Sequence, residues 1–190
     1  MITIIPYNPA WRDEFMQIGG VLRKILGEMA IRIDHIGSTA VPGLAAKDII
    51  DIQITAGQLL PRLERALELA GYRRILSITH DHTPPGKNAD PRQWEKWIFK
   101  PEPGARKVNV HVRLAGRENQ RYALLFRDYL REFPVVAQAY GQMKLALVRY
   151  HPEDDMEAYY DIKDPACDII LGGAEYWAQA SGWQPGSTDC

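Results

Sequence analysis

The sequence predicts an α+β fold: a small mixed sheet flanked by helices, with a helical C-terminal third. Two observations carry this. The segments "DIIDIQI" (48–54) and "KVNVHVRL" (107–114) alternate apolar and polar residues with the period of a strand. Beyond residue 117 the apolar residues fall instead at helical spacing. The chain has 190 residues, 46% of them hydrophobic. That is enough for one compact core, so 1–190 reads as a single domain.

Taken in order, "ITIIPY" (2–7) reads as a short first strand. "NPAWRDEFMQIGGVLRKIL" (8–26) reads as a helix, with Asn8 as its cap and Pro9 in the first turn, where a missing N–H costs nothing. Trp11, Phe15, Ile18, Leu22 and Ile25 form its apolar stripe, and Gly19-Gly20 weakens it by about 1 kcal/mol per glycine. "IRIDHI" (31–36) is a strand candidate, and "QLLPRLERALELAGY" (58–72) is an amphipathic helix ending at Gly71. "RRILSIT" (73–79) is strand-like, and "HDHTPPGKNADPRQ" (80–93) is a polar loop. "EKWIFK" and "RKVNVHVRL" are two more strands about the turn "PEPGA". Pro134 separates two helices, 118–133 and 135–150. A last helix is expected to start with Asp164 as cap and Pro165 in the first turn.

Composition narrows the function. The formal net charge is -1, which argues against a protein that coats a nucleic-acid backbone. No apolar run reaches the roughly 20 residues of a membrane span, and the N-terminal residues do not read as a secretory leader. Cys167 and Cys190 are isolated, so neither a zinc knuckle nor a disulfide framework is expected, and a reduced cytoplasm fits best.

The chemistry concentrates in "DHIGSTAVPGLAAKDIIDIQI" (34–54). A Gly37-Ser38 turn lets a phosphate approach the backbone. Asp51 follows on a strand, where it is placed to hold Mg²⁺ or Mn²⁺ against that phosphate. Asp51 and Gln53 share one strand face; Asn109, His111 and Arg113 share another. If the two strands are neighbours, these groups converge. The competing reading is the wet face of a half-buried sheet.

The string "HIGSTAVPGLAAK" (35–47), with "YNPAW", "VNVHV", "FRDYLR", "AYGQMK" and "YYDIK", resembles the GrpB family, placed within the nucleotidyltransferase-like superfamily. The resemblance covers nearly the whole chain. It implies a nucleotidyltransferase-like fold and a metal-dependent transfer of a nucleoside monophosphate from a nucleoside triphosphate to a hydroxyl acceptor. Position by position, Gly37 and Ser38 match the phosphate turn and Asp51 the first metal acid. Gln53 stands where a second acid is expected, and His111 where a third is sought. The metal set is therefore Asp51, Gln53 and His111, with Asp51 and His111 as catalytic candidates. If Gln53 marks a lost metal position, Gln53→Glu should tighten metal binding. Imidazole suits softer ions than Mg²⁺, so His111 is a ligand or a base.

Lys47, Arg127, Lys144 and Lys163 are the basic candidates for the phosphates. His35 reads as a structural histidine, and His80-Asp81-His82 as a weak metal pair at the edge of a loop that is able to close as a lid. The substitution at Gln53 keeps a second class of function open: a nucleotide-binding or regulatory module without transfer chemistry. A third is a scaffold that retains the fold alone.

Overall fold

The computed structural model describes residues 2–150 and 156–190. Helix α1 (Ala10–Leu26) leads to β1 (Arg32–Ile36), a 3-10 turn (Ser38–Ala40) and β2 (Ile50–Ala56). Then come α2 (Pro61–Leu69), β3 (Tyr72–Arg74), β4 (Lys96–Pro101) and β5 (Val108–Leu114). Helices α3 (Glu118–Glu132), α4 (Pro134–Tyr150) and α5 (Met156–Ser181) complete the order.

The strands form one five-stranded mixed sheet in the order β1-β2-β5-β4-β3. Only β2 and β5 run parallel; the other neighbours are antiparallel. Register follows from burial. Ile50, Ile52 and Ile54 face Val108, Val110 and Val112 across the β2–β5 ladder. These side chains form one core with Ile33 and Phe99, covered by Trp11, Phe15, Leu22 and Leu26 of α1 and Leu63 and Leu67 of α2. Burying each such large side chain is worth about 1.5–3 kcal/mol. A slip of one residue would turn every isoleucine of β2 out of this core.

The opposite face is polar, but it is not the wet face that alternation alone suggests. Helix α3 lies over it, with α4 and α5 packed on α3. Asp34, Gln53, Thr55 and Arg113 are all buried there. Burial demands partners for such groups: Asp34 takes Arg32, while Thr55 Oγ1 finds none among the described residues. Arg113 donates to Gln53 Oε1 at 2.7 Å, and Gln53 Nε2 donates to the Gln120 carbonyl at 3.1 Å. Arg113 also forks onto Asp81, which takes Lys96 and Asn119 as well. Burial opposes the Asp81 charge, yet Arg113 and Lys96 hold the carboxyl well below the usual carboxylate range. That ion pair fastens the 80–93 loop to the sheet.

Three expectations change. The segment 2–7 forms no strand; Ile5 makes only an isolated bridge to Ala46, because Pro6 supplies no donor to continue a ladder. "RRILSIT" is a strand only through Arg74, after which the chain turns. Asp164 caps nothing: α5 already runs from Met156 and carries Pro165 within it. Packing on the earlier turns, where Tyr159 is buried, overrides the local stop signal. The α1 prediction matches its bounds closely: Asn8 Oδ1 accepts the Ala10 N–H at 3.0 Å, and Pro9 takes the cap position. Gly19 is explained by contact, since a Cβ there would lie 2.8 Å from Cys190 Sγ. Among the described residues no helix is long and apolar enough to cross a membrane.

Candidate functional site

The parallel register places Asp51 beside Asn109 and Gln53 beside His111. Asn109 donates to Asp51 Oδ1 at 2.8 Å, and His111 Nε2 lies 3.6 Å from the same oxygen. At that separation the His111 contact is electrostatic rather than a formed hydrogen bond. The Asp51 side chain is 26% exposed and that of His111 14%, so solvent reaches both. Burial opposes the charge on Asp51, but the His111 and Asn109 contacts outweigh it and hold the carboxyl below its ordinary value. Burial pushes His111 the other way, below 6.5, against the pull of Asp51; Arg113 and Lys96 add to the lowering. The imidazole is therefore neutral at pH 7, with a lone pair to offer. Its Nδ1 is buried and finds no partner among the described residues.

The Gly37-Ser38 turn sits directly on Asp51. Gly37 has φ 71° and ψ -171°, a conformation essentially reserved for glycine. A Cβ there would lie 2.5 Å from Asp51 Oδ2. The backbone approaches the carboxylate this closely only because the side chain is absent.

Lys144 contacts the turn, and Lys47 and Lys163 lie close enough to act on its charge. Lys144, 2% exposed, donates to Ser38 Oγ at 2.8 Å and to the Ala45 carbonyl at 2.6 Å, and lies 4.6 Å from the centre of the Tyr140 ring. Burial, then the charge of Lys163, lowers its pKa to about 7, although Cys167 and Asp51 pull upward. Lys47 stands over the Tyr159 ring at 4.0 Å and the Tyr160 ring at 5.2 Å. Burial and Lys163 lower its affinity for a proton. Lys163 itself lies near the Tyr160 ring at 5.6 Å and pairs with Asp164 at 3.5 Å. Arg131 braces the turn by donating to the Ala40 carbonyl at 2.9 Å.

Two candidates are committed elsewhere. Gln53 is fully buried, and both ends of its carboxamide are bonded, to Arg113 and to Gln120. Neither end is left for an ion. Arg127 is buried under the β1 edge, where it donates to Asp128, the His35 carbonyl and Asp189. Its charge is compensated there, so it serves the fold rather than the turn. His35 is structural, as expected: it stacks on Phe15 at 4.7 Å and shares a hydrogen bond with Thr39 at 3.0 Å. His82 pairs with Asp168, and Asp81 with Arg113, so 80–82 gathers no ligand set.

The donor set tests the metal expectation. Among the described residues no three His, Cys, Asp or Glu side chains converge. One carboxylate and one neutral imidazole fit a single divalent ion that arrives with substrate oxygens, not a pair of ions. A surface cleft of about 550 Å³ lies between the start of α3 and the end of α5, with Arg117, Arg121 and Trp183 in its wall. It touches none of the residues around Asp51, and its Arg121 is already paired with Glu175. The acid-bearing turn is therefore the better candidate.

The sequence does not single out Tyr159 and Tyr160 for this role. Their only signal is a basic residue facing aromatic rings across distant segments, which no local pattern displays.

Residues 1–172 match the family model described as GrpB protein, and the chain belongs to that family. The crystal structure of the conserved protein GrpB from Enterococcus faecalis superposes with a TM-score of 0.72 at 31% identity, over 92% of this chain and 99% of that one. A UPF0157 protein of Pseudomonas aeruginosa is 36% identical over 91% of this chain and 67% of its own length. A protein of Mycolicibacterium paratuberculosis named dephospho-CoA kinase is 35% identical over 97% of this chain. The match takes in 48% of that relative, so this chain spans about half of its length.

Proposed function

We propose that the chain transfers a nucleoside monophosphate from a nucleoside triphosphate to a hydroxyl acceptor, with one Mg²⁺ or Mn²⁺. One observation carries this reading: an ionised, partly exposed Asp51 touches a glycine turn whose Ser38 is bonded by Lys144, with Lys47 and Lys163 near enough to act on Lys144. With Lys163 paired to Asp164, Lys47 and Lys144 remain against the Asp51 carboxylate and leave a modest positive surplus, which suits phosphate oxygens better than a bare cation. The Gly37-Ser38 backbone orients the phosphates, and Lys47 and Lys163 neutralise charge that builds on the leaving pyrophosphate. Asp51, with His111 beside it, would hold the ion. When bound, the ion polarises the phosphoryl oxygens. His111, neutral at pH 7, is suited to accept a proton from the acceptor hydroxyl. The nucleotidyltransferase character implied by the family resemblance agrees with this arrangement. The kinase name belongs to a relative that this chain only half spans, and it is not carried over.

The test is pyrophosphate release from ATP, CTP, GTP or UTP with Mn²⁺ and a panel of hydroxyl acceptors. Release should occur with wild type and be lost in Asp51→Ala. The Gln53 amide, locked to Arg113 and Gln120 where a second acid is expected, favours one other reading: a nucleotide-binding module without turnover. Calorimetric nucleotide binding with no pyrophosphate from any acceptor would select it.

A further inference from the structure

Resting on the nucleotidyl-transfer reading, we propose that Ser38 and Lys144 are a nucleophile–base pair, and that Ser38 Oγ receives the nucleotidyl group before the final acceptor does. The pairing is built into the fold. Lys144 Nζ is 2.8 Å from Ser38 Oγ, within reach for a proton transfer. A second contact, to the Ala45 carbonyl, fixes the amine, and the Tyr140 ring flanks it. Lys144 is buried, and among the described residues no carboxylate is bonded to it. A phosphate-binding lysine has no need of such burial; a lysine that must shed its proton does. Ser38 is half-buried, one residue from the glycine that touches Asp51, so its oxygen borders the place assigned to the phosphates.

The step balances. Ser38 Oγ bonds to the α-phosphorus, the bond from that phosphorus to the bridging oxygen breaks, and pyrophosphate leaves with the electron pair. The hydroxyl proton passes to neutral Lys144 Nζ. In the second half the acceptor hydroxyl attacks the same phosphorus, and Ser38 Oγ leaves and recovers its proton from Lys144. The acceptor's proton passes to neutral His111 and from there to solvent.

The groups facing Lys144 are Lys163 and Cys167 on α5, Asp51 on β2, and Lys47 after the turn. In the free protein, burial and the two lysines set its pKa at about 7. A bound triphosphate favours the charged amine, so the pH midpoint of the first step should move upward in the complex.

The experiment uses two readouts. Intact-mass spectrometry of wild type with ATP, CTP, GTP or UTP and Mn²⁺ should show one nucleoside monophosphate adduct, mapped to the Ser38 peptide and absent in Ser38→Ala. Diisopropyl fluorophosphate, which needs no nucleotide, should label Ser38 with a rate that rises through a midpoint near that of Lys144. Lys144→Met should slow labelling by about 100-fold or more. If Lys144→Met does not fold, the wild-type pH profile decides: a midpoint near neutrality supports the pair, and no rise between pH 6 and 8 overturns it. Pyrophosphate release by Ser38→Ala at the wild-type rate would also overturn it, while leaving the transferase reading intact. Loss of release in wild type itself would sink that reading, and fluorophosphate labelling would then judge the pair alone.

Discussion

The closest test of the site's architecture is Gly37→Ala. The new methyl group would stand 2.5 Å from Asp51 Oδ2 and 3.1 Å from Asp51 Cγ, so the carboxylate must move. The backbone at φ 71°, ψ -171° adds strain of about 1–3 kcal/mol for any side chain. Displacing Asp51 from the Asn109 amide removes a hydrogen bond to a charged group, worth about 1.5–3 kcal/mol. Together the loss is about 2.5–6 kcal/mol, which for a chain of this size lowers Tm by about 5–24 °C. Circular dichroism melts of wild type and Gly37→Ala measure it directly, and Mn²⁺ binding in the presence of a triphosphate should weaken in parallel. A Gly37→Ala protein that melts within about 2 °C of wild type would refute the close approach of the turn to the acid.

Other outcomes follow from the same geometry. His35 has a folded pKa of about 4 through burial, below its unfolded value of 6.5, so the unfolded chain takes up protons first as pH falls. Stability at pH 7 should therefore drop between pH 6.5 and 4, by about 3 kcal/mol from this group, and His35→Gln should flatten part of that slope in urea titrations. His111 adds to the same slope, since it too is lowered; in Asp51→Asn its NMR titration should move further down, because Asp51 is the group raising it. Gln53→Glu places a second carboxylate oxygen against the Gln120 carbonyl, so it should lower Tm without tightening Mn²⁺ binding. Asp81→Asn strips the charge partner from Arg113 and Lys96 and should cost about 3–5 kcal/mol in chemical denaturation.

The strands that carry Asp51 and His111 were legible because alternation along 48–54 and 107–114 directly reports which residues share a face. That the two strands adjoin was not legible, since pairing is a property of the whole sheet. The same limit explains Gln53 and Arg113. Their alternation reads as solvent-facing until α3 is laid over them, after which the polar groups must bond each other. Arg127 reads as a phosphate candidate because two of its partners, the His35 carbonyl and Asp189, lie in distant segments. Pro165 marks a local start that the packing of Tyr159 overrules. Lys144 stood among the basic candidates, but its bond to Ser38 depends on α4 crossing the turn, which periodicity does not encode.

The outer rim of β1 shows a different economy. Its outward amides at Ile33 and His35 are taken by the hydroxyl of Thr188 and the carboxylate of Asp189, and the Ile33 carbonyl by Cys190 and Thr188. Side-chain oxygens thus finish most of a ladder that another strand would otherwise extend. A full backbone strand would present a fresh row of donors and acceptors to the next chain; a hydroxyl, a carboxylate and one backbone amide present no such row. Growth of the sheet by edge-to-edge stacking is therefore stopped on this flank by chemistry rather than by shape.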